Sequence, residues 1–237
     1  MPRIGVYYLA LSSNNPSPSS KLIDHLSCTY PEQPHKPYTL DHRLFVDTSS
    51  QLPGSDPKRR QYTQTLTTSH NKQSTFVGST EPGSTKQSFI TIPSSSLDAF
   101  TALILTKLQP LWFPRQFVLV DNGVSVAFTA GFNICIGDVK VAPRQAGAGS
   151  IRGMLVELRQ DDVEHVDEDE ITEQTEAEDR AYLAAIFNDN FRETGVVMDE
   201  SKMIVTRTRQ AADEPLVSGE IDCSLAKAYM TVLRRSR

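Results

Sequence analysis

The chain has 237 residues, 38% of them hydrophobic, with a formal net charge of −5. That length suits one large domain or one domain with appendages, and the acidic balance excludes bulk attraction to nucleic acid. The charge is uneven: residues 161–179 hold eleven Asp or Glu and no Lys or Arg, leaving 18 acids against 24 bases elsewhere, so a mildly basic body carries an acidic loop.

The opening "IGVYYLAL" (4–11) is β-branched and aromatic. Its apolar run is far short of the roughly 20 residues that span a bilayer. With no long apolar region or small-residue cleavage site behind Pro2 and Arg3, it reads as a first strand rather than a signal peptide. The prolines of "SSNNPSPSS" end it. Leu22, Ile23 and Leu26 lie at helical spacing in "KLIDHLSCTY" (21–30). "YTLDHRLFVD" (38–47) is a strand with residues 38, 40, 44 and 46 on one side, interrupted by His42. In "QYTQTLTTSH" (61–70), Tyr62 and Leu66 share one face while Thr63, Thr65 and Thr67 form a threonine row suited to a wet face. "STFVGS" (74–79) and "QSFITI" (87–92) are further strands. Leu97, Phe100, Ile104, Leu108 and Leu111 make a helical stripe, with Ser95 and Asp98 in a capping-box arrangement and Pro110 as the stop.

Next comes "RQFVLVDNGVSVAF", where Asn122-Gly123 between apolar runs predicts a type I′ hairpin. "GFNICIGDVKV" (131–141) changes phase: Phe132, Ile134 and Ile136 share one parity, Val139 and Val141 the other. A β-bulge at Gly137 accounts for that. "IRGMLVELRQ" (151–160) places Met154, Val156 and Leu158 on one face. Thr175 and Glu178 mark a helix start before Tyr182, Leu183, Ile186 and Phe187, with Gly195 as a stop. A short strand is expected near Met203–Thr206. A last helix at about 221–235 carries Ile221, Leu225, Tyr229 and Val232 inward, with Arg234, Arg235 and Arg237 at its carboxyl end, where the dipole favours them. The sum is α+β and mainly β: an antiparallel β-barrel-like sheet, twisted or closed, with one central helix and two C-terminal helices. The expected organisation is a body over 1–160, an acidic flexible insertion over 161–175 and helices packed on the body over 176–237.

Signals for chemistry are sparse. His25, His35, His42, His70 and His165 form no HxxxH, HxH or HExxH, so no metal site is expected. There is no G-x-S-x-G nucleophile elbow. Cys28, Cys135 and Cys223 make neither a disulfide framework nor a paired zinc motif, and fit a reducing compartment, cytosol or nucleus. Cys135, between two isoleucines, reads as a buried thiol. "QAGAGSIRG" (145–153) lacks the Lys-Ser/Thr pair of a phosphate loop. Lys58, Arg59 and Arg60 read as a solvated connector, and no basic-aromatic interleaving marks a nucleic-acid groove. The acidic run lacks the calcium-loop pattern. No catalytic residue and no cofactor are expected. Trp112 and Phe113, flanked by Pro110 and Pro114, are either core or an interface anchor.

The stretch "LQPLWFPRQFVLVDNGVSVAFTAGFNICIGDVKVAP…IRGMLVELRQ" resembles the central part of Mediator subunit 20, especially its fungal-type members. The match rests on Trp112 near a helix end, "GFNICIGDV" (131–139), and Arg152-Gly153 followed by Glu157. "IGVYYLAL", "YTLDHRLFVDT" and the closing "DCSLAKAYMTVLRRSR" agree with the family in order. The family's "DF" is Gly131-Phe132 here, and 161–179 looks like an insertion. The resemblance implies a non-enzymatic, nuclear subunit of the Mediator head module with a β-barrel-like fold. It implies pairing with subunit 18, attachment through the carboxyl-terminal region of subunit 8, association with TATA-binding protein, and a link to RNA polymerase II, with no membrane and no direct nucleic acid. On this reading Trp112, Phe113, Arg152 and Glu157 are expected at a partner interface. Two other readings remain: a β-barrel triphosphate hydrolase, whose metal would need inward carboxylates such as Asp41, Asp138 or Glu157, and a nucleic-acid-binding barrel.

Overall fold

The computed structural model describes residues 3–11, 17–48, 60–80, 87–109, 111–128, 131–141, 150–160, 173–207 and 219–235. In chain order the elements are β1 (Arg3–Ala10), α1 (Ser19–Thr29), β2 (Lys36–Asp47), β3 (Tyr62–Thr68), β4 (Asn71–Thr80), β5 (Gln87–Pro93), α2 (Leu97–Thr106), β6 (Trp112–Phe128), β7 (Phe132–Val141), β8 (Ile151–Gln160), α3 (Glu173–Asn190), β9 (Ile204–Arg207) and α4 (Gly219–Arg235). The strands hydrogen-bond in the order β5-β4-β3-β2-β6-β7-β8-β1-β9. The ladders joining β1 to β8 and β9, β3 to β2 and β4, β4 to β5, and β7 to β8 are antiparallel. The class is α+β, as the strand and helix patterns predict, with α1 added to the central and C-terminal helices. None of the described helices is long and apolar enough to cross a membrane. Residues 161–172 of the acidic run, Lys58 and Arg59, the glycine-rich 145–149 and Pro110 lie outside the described residues.

The chain divides into two compact units, one of residues 1–38, 120–140 and 151–237, the other of residues 39–119 and 141–150. In the first, register puts Tyr7 beside Val156 and Val156 beside Ile136. With Phe132, Ile134, Met154 and Leu158 these make one sheet face, covered by Leu22 and Leu26 of α1 and by Leu183, Ala184 and Phe187 of α3. The opposite face carries Val6, Leu155, Glu157 and Cys135, all buried, and α4 packs there through Tyr229. Fully burying one such side chain contributes about 1.5–3 kcal/mol, so a sheet covered on both faces needs apolar residues at both parities.

That requirement accounts for the phase change in "GFNICIGDVKV". Phe132, Ile134 and Ile136 do point into the core beneath α3, as the periodicity predicts. The expected bulge at Gly137 is absent: β7 pairs with β8 without interruption from Phe132↔Gln160 to Val139↔Gly153, and the register slips only between Val139 and Lys140, where Arg152 is the extra residue on β8. Val139 is fully buried because its face is covered too. Gly137 is small for a different reason. A Cβ there would lie 2.3 Å from Val120 Cγ1 and 3.1 Å from the Cα of Gly123.

The Asn122-Gly123 hairpin is also corrected. β6 runs through that dipeptide as one strand of 17 residues. Gly123 serves close approach, since its Cβ would sit 2.6 Å from Tyr38 Cδ1 and 2.7 Å from the Tyr38 carbonyl oxygen. The dipeptide supplies backbone room for a buried tyrosine, not a positive-φ turn. Elsewhere α3 begins at Glu173, which puts Thr175 inside the helix rather than at its cap, and Gly195, at φ 73°, closes a 3₁₀ turn after it.

In the second unit, Leu40, His42, Leu44 and Val46 of β2 alternate onto one buried face. The other face carries Arg43, opposite Thr65 of β3. Arg43 binds Asp41 and Asp98, both at 3.0 Å, and donates to the Thr101 hydroxyl at 2.8 Å, which ties α2 to that face. The expected Ser95–Asp98 capping box therefore does not form: a 3₁₀ turn, Ser94–Ser96, leads into α2, Ser96 makes no side-chain cap bond, and Asp98 is engaged by Arg43. The helix ends at Thr106, so Leu108 and Leu111 lie beyond the stripe assigned to them. The threonine row is not wet either. Thr63 and Thr65 are buried, and the Thr67 and Thr75 hydroxyls bond at 2.7 Å.

Gly123→Ala should lower the unfolding free energy by about 2 kcal/mol or more, because the obstacle is the Tyr38 backbone, and Gly137→Ala by less, because the Val120 methyl can rotate away. Urea midpoints of the two variants check this order.

Candidate interaction surface

Trp112 and Phe113 fall in the second unit, Arg152 and Glu157 in the first. Successive strand residues face opposite ways, so the aromatic pair divides: Trp112 is half-buried and Phe113 is 49% exposed. Arg152 is exposed. Glu157 is 1% exposed and lies in the interior, away from any partner surface of the chain as folded.

The Glu157 carboxyl accepts a short hydrogen bond from the Tyr229 hydroxyl of α4, which in turn accepts from the Tyr38 hydroxyl at 2.8 Å. All three side chains are buried. Burial pushes both phenols well above their ordinary range, and the neighbouring Glu157 charge adds to it, so both stay protonated donors at neutral pH. The buried Cys135 thiol, opposite Glu157 in the ladder, is pushed up for the same two reasons. A buried acidic side chain is costly unless its oxygens are bonded, so this chain holds α4 in one position on the sheet. A second clamp holds α3: Asp179, 2% exposed, receives Arg207 Nε at 2.5 Å and Nη2 at 2.8 Å, with Arg3 Nε at 3.1 Å.

In the second unit, fully buried His42 donates through Nε2 to the Gln64 side-chain oxygen at 3.0 Å, and its Nδ1 has no hydrogen-bond partner among the described residues. Burial lowers its pKa to about 4, against smaller opposing effects of the Gln64 bond and the Asp41 charge. His42 is a neutral core residue.

The surface of the second unit departs most from a solvated one. Ile90, at 61% exposure, Leu103 at 47%, Leu111 at 60% and Phe113 at 49% are its exposed large apolar residues among those described. Ile90 follows Arg43, Thr65 and Val77 across the sheet, on the α2 face. Phe113 has the parity of Phe117, whose ring meets Phe45 on that same face at 5.5 Å. Between them α2 turns Ala99, Ala102, Leu103 and Thr106 outward, with no charge from Ala99 to Thr106. A helix bordering water normally carries a charged outer face, and contiguous exposed apolar surface marks an interaction site. The sequence reading left Phe113 as core or interface anchor and did not single out Ile90, Leu103 or Leu111 as outward-facing. The available signal was "LDAFTALILT", which carries no charge after Asp98.

Residues 11–234 match the family described as the TATA-binding related factor (TRF) of subunit 20 of Mediator complex. By family the protein is a Mediator subunit. It belongs to the subunit 20 family. No curated protein matches it. Among solved structures it is similar to the PH1819 protein of Pyrococcus horikoshii OT3, at 12% identity over 85% of this chain and 93% of that one, with a TM-score of 0.41. It is also similar to the hypothetical protein NE1496, at 11% identity over 70% and 77%, with a TM-score of 0.31.

Tyr229→Phe should cost about 1–3 kcal/mol, since Glu157 loses a donor and Tyr38 an acceptor in the interior. A double-mutant cycle with Glu157→Gln in denaturant unfolding should show coupling, and strict additivity would contradict the chain of bonds. The folded-state pKa of His42, about 4, lies below the ordinary 6.5 of the unfolded chain. Its contribution is therefore complete above about pH 6.5 and falls away as pH drops towards 4, by on the order of 3 kcal/mol. Unfolding free energies across that window should be flatter in His42→Gln than in the wild type.

Proposed function

We propose that the protein is a non-enzymatic subunit of the Mediator head module in the nucleus, where it links regulators to RNA polymerase II by protein–protein contacts. Its expected partners are Mediator subunit 18, as a heterodimer, and the carboxyl-terminal region of subunit 8, with TATA-binding protein as a further contact. The observation that carries this reading is the family match over residues 11–234. The apolar surface of the second unit, with Phe113 as an anchor, supports it, since a subunit of a large assembly must present such a seat. Glu157 speaks against the triphosphate-hydrolase alternative, because its carboxyl is buried and bonded by Tyr229. The domain organisation proposed with it is a body over 1–160, an acidic insertion over 161–175 and C-terminal helices over 176–237.

Co-expression with a subunit-18-like protein should yield a stable heterodimer that survives moderate salt on size exclusion, because an apolar interface is not screened. A chain that stays monomeric beside that partner would sink the reading. Phe113→Asp should weaken the complex by about tenfold or more while leaving the thermal midpoint of the isolated chain nearly unchanged.

A further inference from the structure

Asp138 of β7 has the parity of Phe132, Ile134 and Ile136, so it ends the row that faces α1, and it is half-buried there. Its carboxylate accepts a short hydrogen bond from the Ser17 hydroxyl. Ser17 stands one residue before Pro18, which occupies the N-cap of α1. Pro18 makes no side-chain cap bond, and the first turn of α1 holds no acidic residue. The Ser17 oxygen fills that place: it accepts from the Ser19 N–H at 3.3 Å and lies 3.2 Å from the Ser19 hydroxyl. One hydroxyl therefore joins β7 to the start of α1, whose Leu22 and Leu26 cover the core face. Ser17-Pro18 is also the one dipeptide of the chain in which Ser or Thr precedes proline. Proline-directed protein kinases select that pair, because a residue with fixed φ and no N–H strands no donor in their pocket. Ser17 and Pro18 are half-buried, and Ser20 and Lys21 are exposed, so this end of α1 lies at the surface.

We propose that Ser17 is the phosphoacceptor of a proline-directed kinase, and that its phosphorylation releases the start of α1 from β7. The inference is independent of the subunit reading. The kinase's nucleoside triphosphate supplies the phosphoryl group. The bond from Oγ to phosphorus forms, the bond from phosphorus to the β,γ-bridging oxygen breaks, the nucleoside diphosphate leaves, and the hydroxyl proton passes to the kinase's own base. Ser17 has then lost the proton that bound Asp138 and carries about two negative charges. A helix N-terminus favours an anion, but through partial charges. Phosphate and carboxylate are full charges within hydrogen-bond reach in a half-buried place, so repulsion prevails. As Ser17 leaves Asp138, the first turn loses its cap. The other end of α1 keeps its ties to α3, from His25 Nε2 to the Asn190 carbonyl oxygen at 2.9 Å and from the Tyr30 hydroxyl to Asn190 Oδ1 at 3.2 Å, which confines the loosening to the start of the helix.

Incubating the full chain with a mitogen-activated protein kinase and MgATP tests the acceptor, and hydrogen exchange on the product tests the release. One phosphoryl group should appear at Ser17 by tandem mass spectrometry and be lost in Ser17→Ala and in Pro18→Ala. In the phosphorylated chain the amides of residues 22–25 should exchange faster by about tenfold or more, while those of residues 27–30 hold their rates. In Asp138→Asn, whose side chain can donate to the phosphate, the same modification should leave residues 22–25 at their unmodified rates. A full chain that stays unmodified at Ser17 overturns the acceptor, and labelling of a peptide of residues 11–25 by the same kinase would place the cause in the fold. A Ser17 phosphate that leaves residues 22–25 as slow as before, or that speeds them equally in Asp138→Asn, overturns the release.

Discussion

The first unit depends on how Tyr38 is accommodated. Its ring and backbone press against Gly123, where any Cβ would intrude. Its hydroxyl then enters a buried chain of bonds through Tyr229 to Glu157. The two requirements reinforce each other. Gly123 lets the phenol lie where it reaches Tyr229, and the bonds compensate for placing three polar groups in an apolar interior. Because Tyr229 belongs to α4 and Glu157 to β8, the same contacts set the position of the C-terminal helix on the sheet. Packing alone would hold α4 less specifically, since Leu225, Val232 and Leu233 fit many registers while a hydroxyl–carboxyl bond fits one.

The distribution of apolar surface separates structure from function. In the first unit both sheet faces are covered by helices, and buried Asp179 is paired with Arg3 and Arg207 while buried Glu157 is bonded by Tyr229. In the second unit α2 is fixed by Arg43 to one sheet face but turns Ala99, Ala102 and Leu103 to water, beside an uncharged end strand. Neither feature improves the isolated chain. An exposed leucine forfeits the free energy its burial would supply, and exposed Ile90 on the end strand does the same. Both become useful in an assembly, which agrees with membership of a Mediator subunit family.

Much of the fold was legible in the sequence because period-two alternation and the helical stripe are local. β1, β2, β8, α3 and α4 fall where those patterns put them. The failures share one cause. Asn122-Gly123 has hairpin chemistry, Ser95–Asp98 has capping chemistry, and the threonines of β3 have the composition of a wet face. In each case a residue distant in sequence decided otherwise: Tyr38 against Gly123, Arg43 against Asp98, and α2 over the face of Thr63 and Thr65. The Tyr38–Tyr229 bond spans 191 positions and leaves no local trace. Phe113 stood out by its setting between prolines, whereas no local pattern marked Ile90 in its strand or Leu103 in its helix as outward-facing.

The sequence by itself determined the class, the family resemblance and the order of most elements, since alternation, helical spacing and ordered motifs survive without knowledge of contacts. Tertiary structure decided which faces are covered. It made "GFNICIGDVKV" an unbroken strand serving two cores, placed Glu157 inside a bonded chain, and left α2 and β5 with apolar groups facing outward. Burial is a property of what packs against a residue, and for this chain those neighbours lie far away along the sequence.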